Sequence, residues 1–139
     1  MAWVAVFGVL CFTFIATKAA KTEFTVFGYL PEYRLNNFDY EGAFAAGLTH
    51  LIYFSLEVHP VSGLPSALDR LPREHEVIRA RIAADKHNGK LLLSFGGNSR
   101  SAGFGFMTMK KSRRRKFLEA LKELLQRYDF DGVDYNWEV

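Results

Sequence analysis

Three short runs in this chain are apolar at nearly every position: Phe24–Tyr29 (FTVFGY), His50–Leu56 (HLIYFSL) and Lys90–Phe95 (KLLLSF). A strand with one face in water alternates apolar and polar residues. A strand that is apolar throughout must be covered on both faces, and helices packed on a parallel sheet supply that cover. The segments between the runs carry the helical period instead. Phe117, Leu118, Leu121, Leu124, Leu125 and Tyr128 form one stripe of a helix that Ser112 is placed to cap. Arg73–Asn88 shows a weaker stripe, with Val77, Ile78 and Ile82 expected inward and Gly89 as its stop. A helical turn at Glu41–Ala46, ended by Gly47, joins the first two strands, and Gly132–Trp137 reads as a fourth strand. Pro60–Pro72 is expected to be the one long polar loop. The order is β-α-β-α-β-α-β, an α/β class. Four parallel strands and three helices fit a small doubly wound sheet or the first half of a (β/α)8 TIM barrel. The turn Gly28-Tyr29-Leu30-Pro31 lacks the glycine pattern of a dinucleotide site.

Composition excludes several other classes. Of 139 residues 49% are hydrophobic, with 13 Phe, 6 Tyr and 2 Trp, which a disordered chain would not carry. The first 17 residues hold no charged side chain, and the apolar run 3–15 is short for a membrane span. With Ala16, Ala19 and Ala20 following, residues 1–19 read as a secretory signal cleaved after Ala19, the alternative being an uncleaved anchor. The mature chain is then expected to be extracellular, with no membrane span. Cys11 is the only cysteine and lies in that segment, so no disulfide framework, thiol nucleophile or cysteine zinc site is expected in the mature chain. His50, His59, His75 and His87 show no metal-ligand spacing, and no metal or cofactor is expected.

The formal charge of +3 arises in one place. Lys110, Lys111, Arg113, Arg114, Arg115 and Lys116 fall within seven residues; apart from them and Lys18, 11 basic residues face 15 acidic ones. The cluster fits a solvated first helical turn, although positive charge there opposes the helix dipole. An anionic polysaccharide contact remains open. A nucleic-acid contact is not expected, because no aromatic residues interleave the cluster and it competes with a secretory signal.

The end of the chain, Asp131-Gly132-Val133-Asp134-Tyr135-Asn136-Trp137-Glu138, carries the chemistry. Asp134, Asn136 and Glu138 are two apart, so a strand places all three on one face. In a barrel Glu138 would sit at the C-terminal strand end, where such enzymes keep their catalytic groups. An ordinary acidic strand end is the plainer alternative.

These residues resemble glycoside hydrolase family 18, the chitinases and chitinase-like lectins. The family's fourth-strand pattern DGxDxDWE is matched at Asp131, Gly132, Asp134, Trp137 and Glu138. Ser94-Phe95-Gly96-Gly97 is similar to its SxGG motif, and Thr49-His50-Leu51-Ile52-Tyr53 to its second strand. The resemblance covers about residues 24–138. It implies a TIM barrel and substrate-assisted, retaining hydrolysis of β-1,4-linked N-acetylglucosamine polymers, with the substrate's own N-acetyl oxygen as nucleophile. Glu138 would be the general acid and then the base, and Asp134 would help set its pKa. Tyr29 and Trp137 would line the sugar site, Gly96 and Gly97 would leave room for a sugar, and Asp131 and Ser94 would support it. The partner implied is chitin or an N-acetylglucosamine oligosaccharide.

Three departures follow from the same comparison. Asn136 stands where the pattern has its third Asp, which keeps a hydrogen-bond acceptor and loses the charge, so slower catalysis is expected. Ser55 stands where a bulky aromatic is usual on strand two. Only four of eight strands are present, so a truncated catalytic domain, inactive alone and prone to self-association through exposed sheet edges, is expected. The alternative is a non-catalytic chitinase-like carbohydrate-binding protein.

Overall fold

The structure is a computed structural model that describes residues 24–138. The expected secretory signal lies outside the described residues. Four strands form a parallel sheet: β1 (Phe27–Pro31), β2 (His50–Val58), β4 (Lys90–Gly96) and β5 (Gly132–Asn136). A two-residue strand, β3 (Pro65–Ser66), pairs antiparallel with Glu57 and Val58 of β2. The helices are α1 (Tyr40–Ala45), α2 (Glu74–Lys86), α3 (Ala102–Thr108) and α4 (Lys111–Arg127).

Sheet order is β1-β2-β4-β5, so neighbours in space are successive parallel strands in sequence. A doubly wound sheet reverses its strand order part-way, at a switch point. This sheet has no reversal, and the barrel-type reading holds. The barrel is not closed: among the described residues β1 and β5 each have one strand neighbour.

The helices cover one face. Leu30, Leu51, Tyr53, Leu91, Leu93 and Phe95 of the strands pack there against Phe44, Ala80, Ala84, Phe104, Phe117 and Leu121 of the helices, all buried. Ile52 is equally buried and stands outside that cluster. It lies in register with Tyr29 and Leu92, on the opposite face.

Several local expectations change. Helix α2 buries Val77, Ala80, Ala83 and Ala84, while Ile78 and Ile82 are 52% and 65% exposed. The alanine stripe lets the helix sit close to the sheet and sets its rotation, which turns both isoleucines outward. Lys110, not Ser112, occupies the N-cap of α4, and no side chain caps it. Leu118 on that helix is 54% exposed. The expected loop at 60–72 contains β3 and a 3-10 turn at Leu68–Arg70, and Arg70 pairs with Glu57 of β2 at 2.6 Å. Four helices replace the expected three, because Gly103 and Gly105 hide α3 from propensity. Gly103 is required there: a Cβ on it would collide with the carbonyl oxygen of Val58.

Candidate active site

The C-terminal ends of β1, β2, β4 and β5 bring the candidate residues together. Ser94 and Asp134 are register partners on β4 and β5, as are Gly96 and Asn136. The fully buried Ser94 hydroxyl donates to Asp134 Oδ2 at 2.7 Å. The Tyr29 hydroxyl donates to the same oxygen at 3.4 Å. Tyr29 is on β1, three strand positions from β5, which in a flat sheet is about 14 Å. Side chains standing upright on a flat sheet would not meet across that distance. The sheet therefore curls toward this face, which is the concave interior of a barrel arc. Burial raises the Tyr29 pKa, and the Asp134 charge and its hydrogen bond raise it further, because each favours the phenol over the phenolate.

Asn136 and Glu138 are held through the main chain. The Asn136 carbonyl accepts from the Gly97 N–H at 2.7 Å and from the Ser101 hydroxyl at 3.4 Å. The Glu138 N–H donates to Ser101 Oγ at 3.1 Å. Ser101 is the N-cap residue of α3, so this helix fixes the course of the chain through Glu138. The Glu138 residue itself is exposed at the strand end.

Comparison with known proteins identifies the family of the chain. The profile of Glycosyl hydrolases family 18 matches residues 25–139. The chain belongs to this family. Similar solved structures include the Group IV chitinase of Ostrinia furnacalis, 27% identical with a TM-score of 0.67, covering 81% of this chain and 33% of that one. A Rhizomucor miehei chitinase is 22% identical with a TM-score of 0.65, covering 82% of this chain and 33% of that one. A chitinase-like agglutinin from Robinia pseudoacacia is 24% identical with a TM-score of 0.63, over 81% of this chain and 34% of that one. The chain thus spans about a third of the length of these proteins. No curated protein sequence matches it.

In this family 18 chain the expected residues divide between two faces. Tyr29, Ser94 and Asp134 form one hydrogen-bonded set on the concave face, with Asn136 two register positions beyond. Trp137 does not join them. Its ring stacks on Phe104 of α3 at 5.2 Å and lines an apolar pocket of about 280 Å³ with Met107, Phe117, Leu118 and Tyr135. Two-residue alternation puts Trp137 with Tyr135 on the helix-covered side.

Gly96 and Gly97 leave no open room at their Cβ positions. Both have positive φ, +94° and +90°. A Cβ on Gly96 would run into the Asn136 carbonyl oxygen and approach the Phe104 ring to 2.8 Å, and one on Gly97 would meet the Phe54 ring. Glycine here lets β4 turn off closely against β5. Asp131 serves at the opposite end of the strands. It accepts from the Leu91 N–H at 2.8 Å and pairs with Arg81 at 3.0 Å and Lys90 at 3.3 Å. Burial works to raise its pKa, but the Leu91 N–H and Arg81 outweigh this and hold the carboxyl below its usual value.

The aromatic expected at position 55 is supplied one residue earlier. Phe54 packs edge-on against Tyr29, with ring centroids 5.8 Å apart. Ser55 is buried and donates to the Gly96 carbonyl at 2.7 Å. The β2–β4 register shifts between Tyr53 and Leu56, so counting by twos from the strand start misassigns the faces. Sequence reasoning also missed Arg100 and Glu32. Arg100 donates to Ser55 Oγ at 3.0 Å, pairs with Glu32 at 2.8 Å and lies 5.7 Å from the Phe54 ring centre. Burial acts to raise the Glu32 pKa, yet Arg100 and main-chain hydrogen bonding bring it below the ordinary value. The one available signal was a lone basic residue just after the glycine pair.

Proposed function

We propose that the chain forms part of a chitinase-type glycoside hydrolase acting on β-1,4-linked N-acetylglucosamine polymers by substrate-assisted, retaining hydrolysis. The observation that carries the reading is the Tyr29–Asp134–Ser94 hydrogen-bonded set on the concave face of a family 18 sheet, two residues along β5 from Asn136 and at the strand end that bears Glu138. Glu138 protonates the glycosidic oxygen and then activates water. Asp134 is held by Ser94 and Tyr29 with its side chain toward the reacting sugar. Asn136 accepts a hydrogen bond from the substrate acetamide and contributes less to stabilising a cationic oxazolinium than a carboxylate would. Tyr29 and Phe54 supply aromatic surface against the sugar ring. Residues 20–139 are the N-terminal part of the catalytic domain, and residues 1–19 direct secretion.

The test is release of N-acetylglucosamine oligomers from chitopentaose by the native protein. Hydrolysis that disappears in Glu138→Gln while pentaose binding persists supports the reading. Hydrolysis that survives the substitution refutes Glu138 as the acid. A second reading, a carbohydrate-binding protein without turnover, is favoured by the neutral Asn136. Pentaose binding with no hydrolysis in the wild type, and none restored by Asn136→Asp, would decide for it.

A further inference from the structure

The basic cluster at the start of α4 separates into two functional groups. Arg113 and Arg114 fold back onto α3: Arg113 donates to the Phe106 carbonyl at 3.3 Å and lies over the Phe106 ring, and Arg114 donates to the Thr108 carbonyl. Their charges satisfy the last carbonyls of a helix, a structural use. Lys110, Lys111, Arg115 and Lys116 have no such use. All four are exposed, and their only ion pair among the described residues joins Arg115 to Glu119, with both side chains more than half exposed. Lys111, Arg115 and Lys116 border one open depression with Ser112 and Glu119, the last of these paired with Arg115. The first turn of α4 contains no acidic residue. Four cations therefore crowd the positive end of a 17-residue helix, where both dipole and mutual repulsion oppose them.

We propose that Lys110, Lys111, Arg115 and Lys116 form a binding surface for a linear sulfated polysaccharide, separate from the concave site and independent of its function. Sulfate groups repeated along a chain suit four flexible side chains that present point charges on one turn and a half of helix. The surface lacks what a single-stranded nucleic acid would need, because the neighbouring aromatic, Phe106, is covered by Arg113. A membrane fits less well, because the exposed Leu118 turns into the pocket with Phe104 and Trp137 and does not extend the basic surface.

The experiment measures anisotropy of a labelled heparin octasaccharide titrated with the full chain across a salt series. Four charge contacts give a slope of log K against log salt of about −3. The variant K110Q/K111Q/R115Q/K116Q should bind at least about 100-fold more weakly at 0.1 M NaCl, with the slope close to zero. It should also melt no lower than the wild type, since cations leave the N-terminus of a helix. That combination supports the surface and excludes misfolding as the cause. Unchanged heparin affinity and slope in the variant overturn the proposal. So does tighter binding of polyuridylate or of phosphatidylserine vesicles than of heparin at equal salt.

Discussion

Ser94→Ala should destabilise the chain by about 1.5–2 kcal/mol without opening a cavity larger than one oxygen atom. The Ser94 hydroxyl is fully buried and donates to a carboxylate at 2.7 Å, so water cannot take its place. Hydrogen bonds to charged groups contribute about 1.5–3 kcal/mol. The lower half of that range applies because Asp134 is only half-buried and keeps Tyr29 as a second, longer donor at 3.4 Å. In urea the midpoint should fall by about 1 M, given a slope of 1–3 kcal/mol per molar for a domain of this size. A double-mutant cycle with Asp134→Asn isolates the pair and should return a coupling of at least about 1 kcal/mol. Tyr29→Phe serves as the internal comparison and should cost under about 0.5 kcal/mol, because its bond is long and more than half of the residue is exposed. Additive single mutants, or a Ser94→Ala loss no larger than that of Tyr29→Phe, would refute the placement of Asp134 by Ser94.

Gly96→Ala should cost about 3 kcal/mol or more, combining a positive-φ penalty with a clash against the Asn136 carbonyl; Gly47→Ala, at φ +107° with open space around it, should cost only about 1 kcal/mol on the same urea measurement. Asp131→Asn should destabilise by about 1–2 kcal/mol at pH 7. The Asp131 pKa is lowered on folding, so its contribution is present above the unfolded value of about 4 and is lost as pH falls through the folded one; wild type and variant should converge in urea midpoint toward pH 2. Asn136→Asp, made in a complete barrel, should raise kcat on chitopentaose about tenfold, read as initial rates at saturating substrate.

What the sequence disclosed follows from how strongly each element constrains its own residues. β2 and β4 are buried on both faces, so nearly every position is apolar and the runs announce themselves. β5 was legible for a different reason, the two-residue spacing of Asp134, Asn136 and Glu138. α2 was placed correctly within two residues at either end, yet its inward face was misread, because alanines chosen for close approach carry a weaker apolar signal than the outward Ile78 and Ile82. α3 was invisible: close packing on Val58 demands Gly103, and glycine argues against helix. In the site, Asp134 and Ser94 meet as register partners on neighbouring strands, a pairing that the sequence motifs name separately. Phe54 did not emerge, because the register shift in β2 is set by contacts with β4 and leaves no mark in the local pattern.

The helix that sequence reasoning overlooked is the one that orders the end of β5. Strand β5 sends its side chains two ways. Asp134 reaches the concave face, where Ser94 and Tyr29 hold it, while Tyr135 and Trp137 pack against Phe104 of α3. The same helix places Ser101 under the Glu138 N–H and beside the Asn136 carbonyl. Side-chain stacking on a single seven-residue helix and hydrogen bonds to its N-cap Ser101 thus fix the chain from Tyr135 to the Glu138 N–H. α3 can approach that closely only because Gly103 has no Cβ to strike Val58 on β2. The position of the proposed acid therefore depends, through a rigid helix, on a glycine that packs against β2, two strands from β5. Trp137, which the family pattern places next to the acid, acts in this chain as the anchor of that arrangement.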